Sequence, residues 1–313
     1  MLKSDQSPFL STRLISLNKY FDEMVSLYES GSFPNVLLLG GKKGIGKFTL
    51  VFHFLNYVYS KNEETPYIIE DKLINSNSNF YKSILNQTNT DVIFLQAEER
   101  KNIKINDIRN LKSIFSKTSF SNKPRFTIID EVEFLNANSV NALLKTLEEP
   151  SVNNYFILIN NQQANLIDTL SSRCLKNNIY LNTENQKKVI EHFVEIKKID
   201  KLFFNSNNLT PGTFLKYNDF FNKYNIDNNE NISLTLKKLL NAYQKDKDKN
   251  LINMSIFIVE RFFYQLIKTN ISKINFLIDL KSTILYKIND FIIYNLNINS
   301  VLNSIELNLK RVR

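Results

Sequence analysis

The chain has 313 residues, of which 43% are hydrophobic, and a formal net charge of +9. This length is enough for two or three domains, and no apolar run reaches the ~18 residues that a membrane span requires. Residues 1–11 lack the basic-then-apolar order of a signal peptide. The single cysteine, Cys174, excludes an internal disulfide framework and a cysteine-rich zinc module. We therefore expect a soluble, cytoplasmic protein with no membrane partner, no zinc and no metal centre.

The positive charge by itself is a weak indicator of a nucleic-acid partner. The chain is rich in Lys, Asn and Ile, a composition that an AT-biased coding sequence produces whatever the function. The sequence has no interleaving of aromatic and basic residues and no motif that reads a DNA groove. A stand-alone DNA-binding protein is kept as an alternative of a different class.

Strand patterns alternate with helix patterns through the first 181 residues. Strands are predicted at 36–39, 92–95, 126–129, 155–159 and 179–181. Helices are predicted at 48–57, 105–116 and from a cap at Asn136 to Pro150, with a polar stretch over 75–90. This alternation is typical of a largely parallel sheet with helices on both faces, an α/β fold.

Beyond residue 181 only helix patterns remain. Helices are predicted at 184–197 and 211–222, followed by a polar linker over 225–231, and residues 234–313 are helical in pattern, most strongly over 251–268 and 274–294. We predict three domains, with boundaries at 1–182, 183–230 and 231–313.

A glycine cluster marks a phosphate-binding loop between the first strand and the first predicted helix. Four of the six glycines lie within the seven positions from Gly40 to Gly46. In such loops backbone N–H groups surround the phosphates and a lysine reaches the outer ones. The predicted nucleotide-binding residues of this loop are Gly41, Gly44, Ile45, Gly46, Lys47, Phe48 and Thr49.

One position departs from the loop pattern. The hydroxyl residue that should follow the lysine and bind Mg²⁺ is replaced by Phe48, and Thr49 comes one residue later. One residue of helix turns a side chain by about 100°, which argues against Mg²⁺ binding by this loop. The sequence leaves open whether ATP occupies it.

Two acids follow the third strand, Asp130 and Glu131. In a nucleotide hydrolase the first acid holds Mg²⁺ through water, and the second polarises the attacking water. We therefore predict Asp130 as a nucleotide-site residue and Glu131 as a catalytic one.

The stretches around these acids resemble a known family. Residues 128–136 and 141–150 look like the Walker B strand and following helix of clamp-loader subunits of bacterial DNA polymerase III, and residues 170–174 resemble their Ser-Arg-Cys motif. The resemblance covers about 9–217 and is most specific over 126–174. It implies an AAA+ nucleotide-binding core with a five-stranded parallel sheet, a small helical lid, and a C-terminal all-helical collar through which five subunits form an open ring.

The resemblance also implies roles for single residues. Arg173 matches the arginine finger, which projects into the ATP site of a neighbouring subunit and there can be worth about 10³–10⁵ in rate. Asn160 or Asn161 takes the sensor 1 place. Residues 210–215 look like the sensor 2 region of the lid, but the arginine of active ATPases is absent.

The sequence is compatible with two types of clamp-loader subunit. A delta-prime type, which donates Arg173 and hydrolyses little or no ATP itself, is favoured by Phe48, by the missing sensor 2 arginine and by the missing zinc module. A gamma/tau type, an ATPase, is favoured by Glu131, because delta-prime relatives often lack an acid there. For both types the implied partners are the other clamp-loader subunits (gamma/tau and delta), the beta sliding clamp and primed DNA within the complex.

Overall fold

A computed structural model of the chain describes residues 7–96, 108, 123–148, 153–197, 209–227 and 230–311. The chain divides into two compact units. The first holds the chain up to residue 198 together with 209–213, and the second holds the remainder.

The first unit is built on a five-stranded sheet in which every pairing is parallel. The strands are β1 (Val36–Gly40), β2 (Val92–Gln96), β3 (Arg125–Asp130), β4 (Asn154–Asn160) and β5 (Leu175–Asn178). Their order across the sheet is β2-β3-β4-β1-β5. The loop after β1 and the residues after β3 and β4 therefore meet at one edge, the carboxyl edge of the sheet.

Helices cover both faces of this sheet. They are α1 (Asn18–Glu29), α2 (Lys47–Ser60), α3 (Asn79–Leu85), α4 (Ala137–Glu148), α5 (Asp168–Ser171) and α6 (Thr183–Lys197). Alternate residues of β1 belong to different cores: Leu37 and Leu39 pack in the cluster that contains α1 and α2, while Val36 and Leu38 pack in the one that contains α4. The predicted α/β fold, with a five-stranded parallel sheet, is confirmed.

The second unit is all-helical in its described residues. Its helices are α7 (Pro211–Lys223), α8 (Ile232–Asp246), α9 (Lys249–Thr269), α10 (Ile274–Ile293) and α11 (Ile298–Lys310). The first three residues of α7 belong to the first unit. Side chains of Asn231, Asp248 and Asn297 accept hydrogen bonds from the first N–H groups of α8, α9 and α11, which is why these helices begin where they do. Apolar faces of α8 to α11 form one core.

The division into core, lid and collar stays a prediction, since the two compact units do not decide between it and other divisions. None of the helices in the described part of the chain combines the length and apolarity needed to traverse a bilayer.

The fifth predicted strand is wrong in position. The strand is Leu175–Asn178, and residues 179–181 follow it. Strand β5 lies at one edge of the sheet beside β1, and most of its side chains are exposed and carry no apolar pattern. The apolar residues Ile179 and Leu181 are buried just after the strand, which is where the sequence pattern pointed.

Three helices in the described part of the first unit were not predicted: α1, α3 and the four-residue α5. Helix α3 lies within the polar stretch at 75–90 and is capped by Ser78, whose Oγ accepts a hydrogen bond from Tyr81 N. The helix predicted at 105–116 lies outside the described residues except for Ile108, which is buried. The helix predicted from Asn136 is confirmed as α4, and Asn136 Oδ1 accepts a hydrogen bond from Ser139 N.

Candidate functional site

The backbone conformation of the loop between β1 and α2 depends on glycines. Gly44 and Gly46 have φ of 82° and 97°, values that a residue with a Cβ adopts only with strain. Ile45 between them is buried in the core with α2 and fixes the loop to the body of the unit. A Cβ on Gly41 would lie 2.5 Å from the carbonyl oxygen of Ile179, so this position also tolerates no side chain.

The side chain of the loop lysine, Lys47, contacts the backbone of its own loop. Lys47 is buried, and its Nζ donates to the carbonyl oxygens of Gly41 (2.6 Å) and Lys42 (2.8 Å). Burial lowers the pKa of Lys47 to about 8, and the charges of Asp130 and Glu133 act in the opposite direction. The ammonium therefore stays largely protonated at neutral pH and lies close to the acids after β3.

The position of the magnesium-binding hydroxyl is filled by an aromatic ring. Phe48 is buried and packs edge-on to Phe9, with ring centroids 5.2 Å apart, and against Phe94 at 5.6 Å. Thr49, the next residue of α2, is half-buried. The ring brings no oxygen ligand to the loop, so the residues present do not fit the Mg²⁺ of a phosphate-loop hydrolase.

Asp130, the last residue of β3, is buried among hydrogen-bond donors. Its Oδ1 accepts from the backbone N–H of Glu131 (2.8 Å) and from Nδ2 of Asn161 (3.0 Å), and its Oδ2 accepts from Nε2 of Gln96 (3.3 Å). Burial raises the pKa of Asp130 to about 6, the charge of Glu131 adds to the rise, and the hydrogen bonds and Lys47 oppose it.

Glu131 is engaged by a lysine of the phosphate loop. The residue has a left-handed backbone, with φ of 58°, and its buried carboxylate pairs with the ammonium of Lys43. The ion pair uses Oε1 and offsets the negative charge, which makes the carboxylate a weaker partner for an attacking water, although Oε2 keeps its lone pairs. The predicted catalytic acid is therefore occupied from within the chain.

Of the two candidates for sensor 1, the structure brings Asn161 to the acids. Its amide donates to Asp130, whereas the side chain of Asn160 is half-buried and accepts from the backbone N–H of Gln162 at 2.8 Å. The difference follows from the end of β4, since Asn160 is its last residue and the chain turns at Asn161.

Glu133 is a site residue that the sequence patterns missed. It is buried, and its carboxylate accepts hydrogen bonds from the backbone N–H groups of Asn161 (3.0 and 3.1 Å) and Gln163 (3.4 Å). It therefore fixes the turn after β4 to the segment after β3. The only signal in the sequence was a third acid two residues beyond Glu131.

The segment Thr210–Thr213 lies directly on the phosphate loop, within the first unit. Thr210 Oγ1 donates to the carbonyl oxygen of Lys43, and Gly212 N donates to that of Gly44, both at 2.8 Å. A Cβ on Gly212 would lie 2.8 Å from Gly44 Cα, so the two backbones are in van der Waals contact. This is the segment that resembles sensor 2, and here it covers the loop with a glycine in place of a charged side chain.

Arg173 lies at a surface, away from the loop residues. Its Nε donates to Glu148 Oε1 (2.9 Å), its Nη2 is 2.8 Å from the same oxygen, and its Nη1 donates to the carbonyl oxygen of Thr169 (2.9 Å). The neighbouring Cys174 donates to the carbonyl oxygen of Leu170, and burial raises the pKa of the thiol to about 11, so it packs as a small apolar residue.

The family described as "DNA polymerase III, delta subunit" matches residues 17–183, more than half of the chain. The chain belongs to this family. The predicted resemblance to a delta-prime-type subunit of bacterial DNA polymerase III is thereby confirmed.

Several curated proteins are similar to parts of this chain. DNA polymerase III subunit delta' of Pseudomonas aeruginosa is 34% identical over 90 residues, 28% of this chain and 27% of that protein. The subunit delta' of Buchnera aphidicola subsp. Schizaphis graminum is 27% identical over 163 residues, 50% of this chain and 46% of that protein. Subunit gamma of Buchnera aphidicola subsp. Acyrthosiphon pisum is 30% identical over 145 residues, which are 46% of this chain and 38% of that protein. The matched segments thus span less than half the length of these relatives.

One solved structure is similar over most of the chain. The DNA polymerase III gamma subunit-related protein of Thermotoga maritima aligns with 93% of this chain and 100% of its own, with a TM-score of 0.49 and 17% identity.

Proposed function

We propose that this chain is a delta-prime-type subunit of a bacterial clamp loader, which donates Arg173 to the ATP site of a neighbouring subunit and hydrolyses little or no ATP itself. The observation that carries the proposal is a contrast within the first unit. Arg173 is held at a surface, with 38% of its side chain exposed, whereas the chain's own loop offers Phe48 where a magnesium ligand is needed.

Three features support weak or absent hydrolysis by this chain. The aromatic packing of Phe48 removes the metal ligand, the ion pair with Lys43 occupies Glu131, and Gly212 covers the loop at Gly44. Phosphoryl transfer depends on Mg²⁺ and on an acid that positions water. Any ATP bound here would occupy a vestigial site, and we propose no role for zinc or Mg²⁺ in this chain.

The proposed partners follow from the family and its relatives. They are the gamma/tau and delta subunits of the loader, the beta sliding clamp, and primed DNA within the complex, all in the cytoplasm. ATP bound in the neighbouring subunits would tighten the ring and hold the clamp open, and hydrolysis would release the clamp onto DNA. The part of this chain in that cycle is to complete a neighbour's site with a guanidinium, whose planar N–H groups suit the oxygens of a phosphate.

The test is the substitution Arg173→Ala in a loader reconstituted from all subunits. The other ATPase sites would be inactivated at their loop lysines, so that turnover reports only the site next to this chain. We expect DNA-stimulated turnover to fall by about 10³-fold or more, while complex formation by size-exclusion chromatography is unchanged. Unchanged turnover in an intact complex would contradict the proposal, as would an isolated chain that hydrolyses ATP at the rate of a gamma subunit.

A gamma/tau-type ATPase is the second candidate, and the observation that favours it is the buried acid at Glu131. In the reconstituted loader, Glu131→Gln distinguishes the two. Loss of clamp loading would identify this chain as a motor, whereas a delta-prime type keeps its activity.

A further inference from the structure

We infer that Glu148 is the positioning residue for Arg173: it fixes the guanidinium so that the free N–H groups point towards a phosphate group of a neighbouring subunit's nucleotide. The inference rests on the proposed function and adds a residue to it. Glu148 touches neither nucleotide nor reacting atoms, so its effect would pass entirely through Arg173.

The contacts of Arg173 involve all three nitrogens of its guanidinium. A guanidinium has five N–H groups in a rigid plane. The Nε and Nη2 edge faces Oε1 of Glu148, and one N–H of Nη1 faces the carbonyl oxygen of Thr169. Within the described part of the chain, the two remaining N–H groups, one on each terminal nitrogen, have no partner. They form the end of the fork, which matches two oxygens of a phosphate.

The groups that hold the guanidinium are themselves held by packing. Glu148 is the last residue of α4, whose Leu143 and Leu147 are buried against the sheet. Thr169 lies in α5, next to the fully buried Leu170. The Arg173 and Glu148 side chains are themselves 38% and 49% exposed, so their contacts with each other and with Thr169, and not packing of the guanidinium, reduce the rotamer freedom that Arg173 would lose on meeting a ligand.

A single carboxylate oxygen makes both contacts from Glu148, and this decides the choice of variants. This oxygen accepts the hydrogen bond from Nε and lies 2.8 Å from Nη2; an amide oxygen can take the same position, so Glu148→Gln should keep the guanidinium in place. Glu148→Asp keeps the charge but withdraws the oxygen by one methylene, and Glu148→Ala removes it. If the position of the oxygen determines turnover, Glu148→Gln keeps the turnover and Glu148→Asp lowers it. If the negative charge determines turnover, Glu148→Asp keeps it and Glu148→Gln lowers it.

The experiment uses the loader described for Arg173→Ala, with turnover limited to the adjoining site. We expect Glu148→Ala and Glu148→Asp to lower kcat by about 10- to 10²-fold with little change in KM for ATP. We expect Glu148→Gln to stay within about twofold of the unsubstituted chain and Glu148→Ala to have no further effect in an Arg173→Ala background. Asp168→Asn, at an acid of the same region that makes no hydrogen bond or ion pair with Arg173, is the matched control.

The outcomes separate the two claims. If Arg173→Ala leaves turnover unchanged, the proposed function fails. If Arg173→Ala lowers turnover but Glu148→Ala does not, or raises it because the carboxylate sequesters the arginine, the positioning role is overturned. An equal loss from Glu148→Ala with and without Arg173 also overturns it. Should Glu148→Ala not assemble, equal rates for the Asp and Gln variants would sink the inference.

Discussion

At the scale of single residues, burial moves the pKa of several groups in the first unit away from their ordinary values. His53 is fully buried in α2, and burial lowers its pKa to about 4. Its Nε2 lies 2.9 Å from the carbonyl oxygen of Ser11 and its Nδ1 lies 2.9 Å from the hydroxyl of Tyr67. Since a carbonyl only accepts, Nε2 carries the proton and Nδ1 accepts from the tyrosine.

The neutral state of His53 predicts a loss of stability in mild acid. The pKa is about 6.5 in an unfolded chain and about 4 in the folded one, so the unfolded state binds the proton more tightly. The contribution is complete above pH 6.5 and is lost as the pH falls towards 4, by about 3 kcal/mol in total. Between pH 7.5 and 5.0 this contribution falls by about 2 kcal/mol, and urea unfolding should show it as the difference in pH dependence between the unsubstituted chain and His53→Gln, because Asp130 acts in the opposite direction over the same range. His53→Gln should reduce the pH dependence, whereas His192→Gln, at the other histidine, should leave most of it in place.

Asp130 predicts the opposite dependence of stability on pH. Its folded pKa of about 6 lies above the ordinary 3.8, so the ionised carboxylate costs stability, and the cost grows as the pH rises through 6. Asp130→Asn keeps an oxygen for Glu131 N and Asn161 and removes the charge. We expect this variant to be more stable than the unsubstituted chain by about 1–3 kcal/mol at pH 7.5, with the difference shrinking towards pH 4. A variant less stable at both pH values would show that the carboxylate is needed for the fold.

Sequence reasoning found the residues of the site that belong to a spaced motif and missed those defined by tertiary contacts. Lys47 and Asp130 stand at fixed distances from a glycine loop and a strand end, so one chain suffices to find them. Glu133 and Lys43 have roles only because the turn after β4 and the loop after β1 come to the same sheet edge. That proximity depends on the strand order, which spacing along the chain does not contain.

At the scale of elements, the start of α7 is fitted to the phosphate loop through two glycines. The N–H of Gly212 donates to the carbonyl oxygen of Gly44, and neither position has room for a side chain. At Gly212 the atoms that a Cβ would meet all belong to the backbone of Gly44, so the strain there cannot be relieved by a change of rotamer.

Gly212→Ala should therefore disturb the contact between α7 and the loop. A Cβ 2.8 Å from Gly44 Cα forces one backbone to move, and we expect a loss of about 1–3 kcal/mol in stability. Hydrogen exchange should show weaker protection of Gly212 N–H and of the loop. Asn222→Ala, at an exposed position of the same helix, is the control and should be close to neutral. Protection equal to that of the unsubstituted chain would mean that the segment does not rest on the loop.

Strands with buried apolar side chains were more predictable than β5, and β2, at the opposite edge of the sheet, was also predicted correctly. The interior strands β1, β3 and β4 are buried on both faces and read as apolar runs. Strand β5 is mostly exposed and polar, so the apolar residues just beyond it attracted the prediction. Helix α3 was hidden for a related reason, since its seven residues lie within a stretch rich in Asn and Ser.

At the scale of the whole molecule, the first unit carries the residues that link the chain to its family. The family match covers 17–183, and this span contains the phosphate loop, the acids after β3 and Arg173. The second unit was predictable as helical from its apolar spacing, because four helices bury one face each in a shared core. Its part in assembly rests on the resemblance alone, since a helical core has many possible uses.

The packing of the Phe48 ring opposes a substitution that would restore a metal ligand at this position. A return to a hydroxyl residue at this position would leave a cavity beside Phe9 and Phe94, and removing a buried phenyl group costs about 3–5 kcal/mol. Restoring a metal ligand would thus require compensating changes in the surrounding side chains at the same time. A single change of Phe48 to a hydroxyl residue would therefore add an oxygen to the loop and at the same time destabilise the first unit.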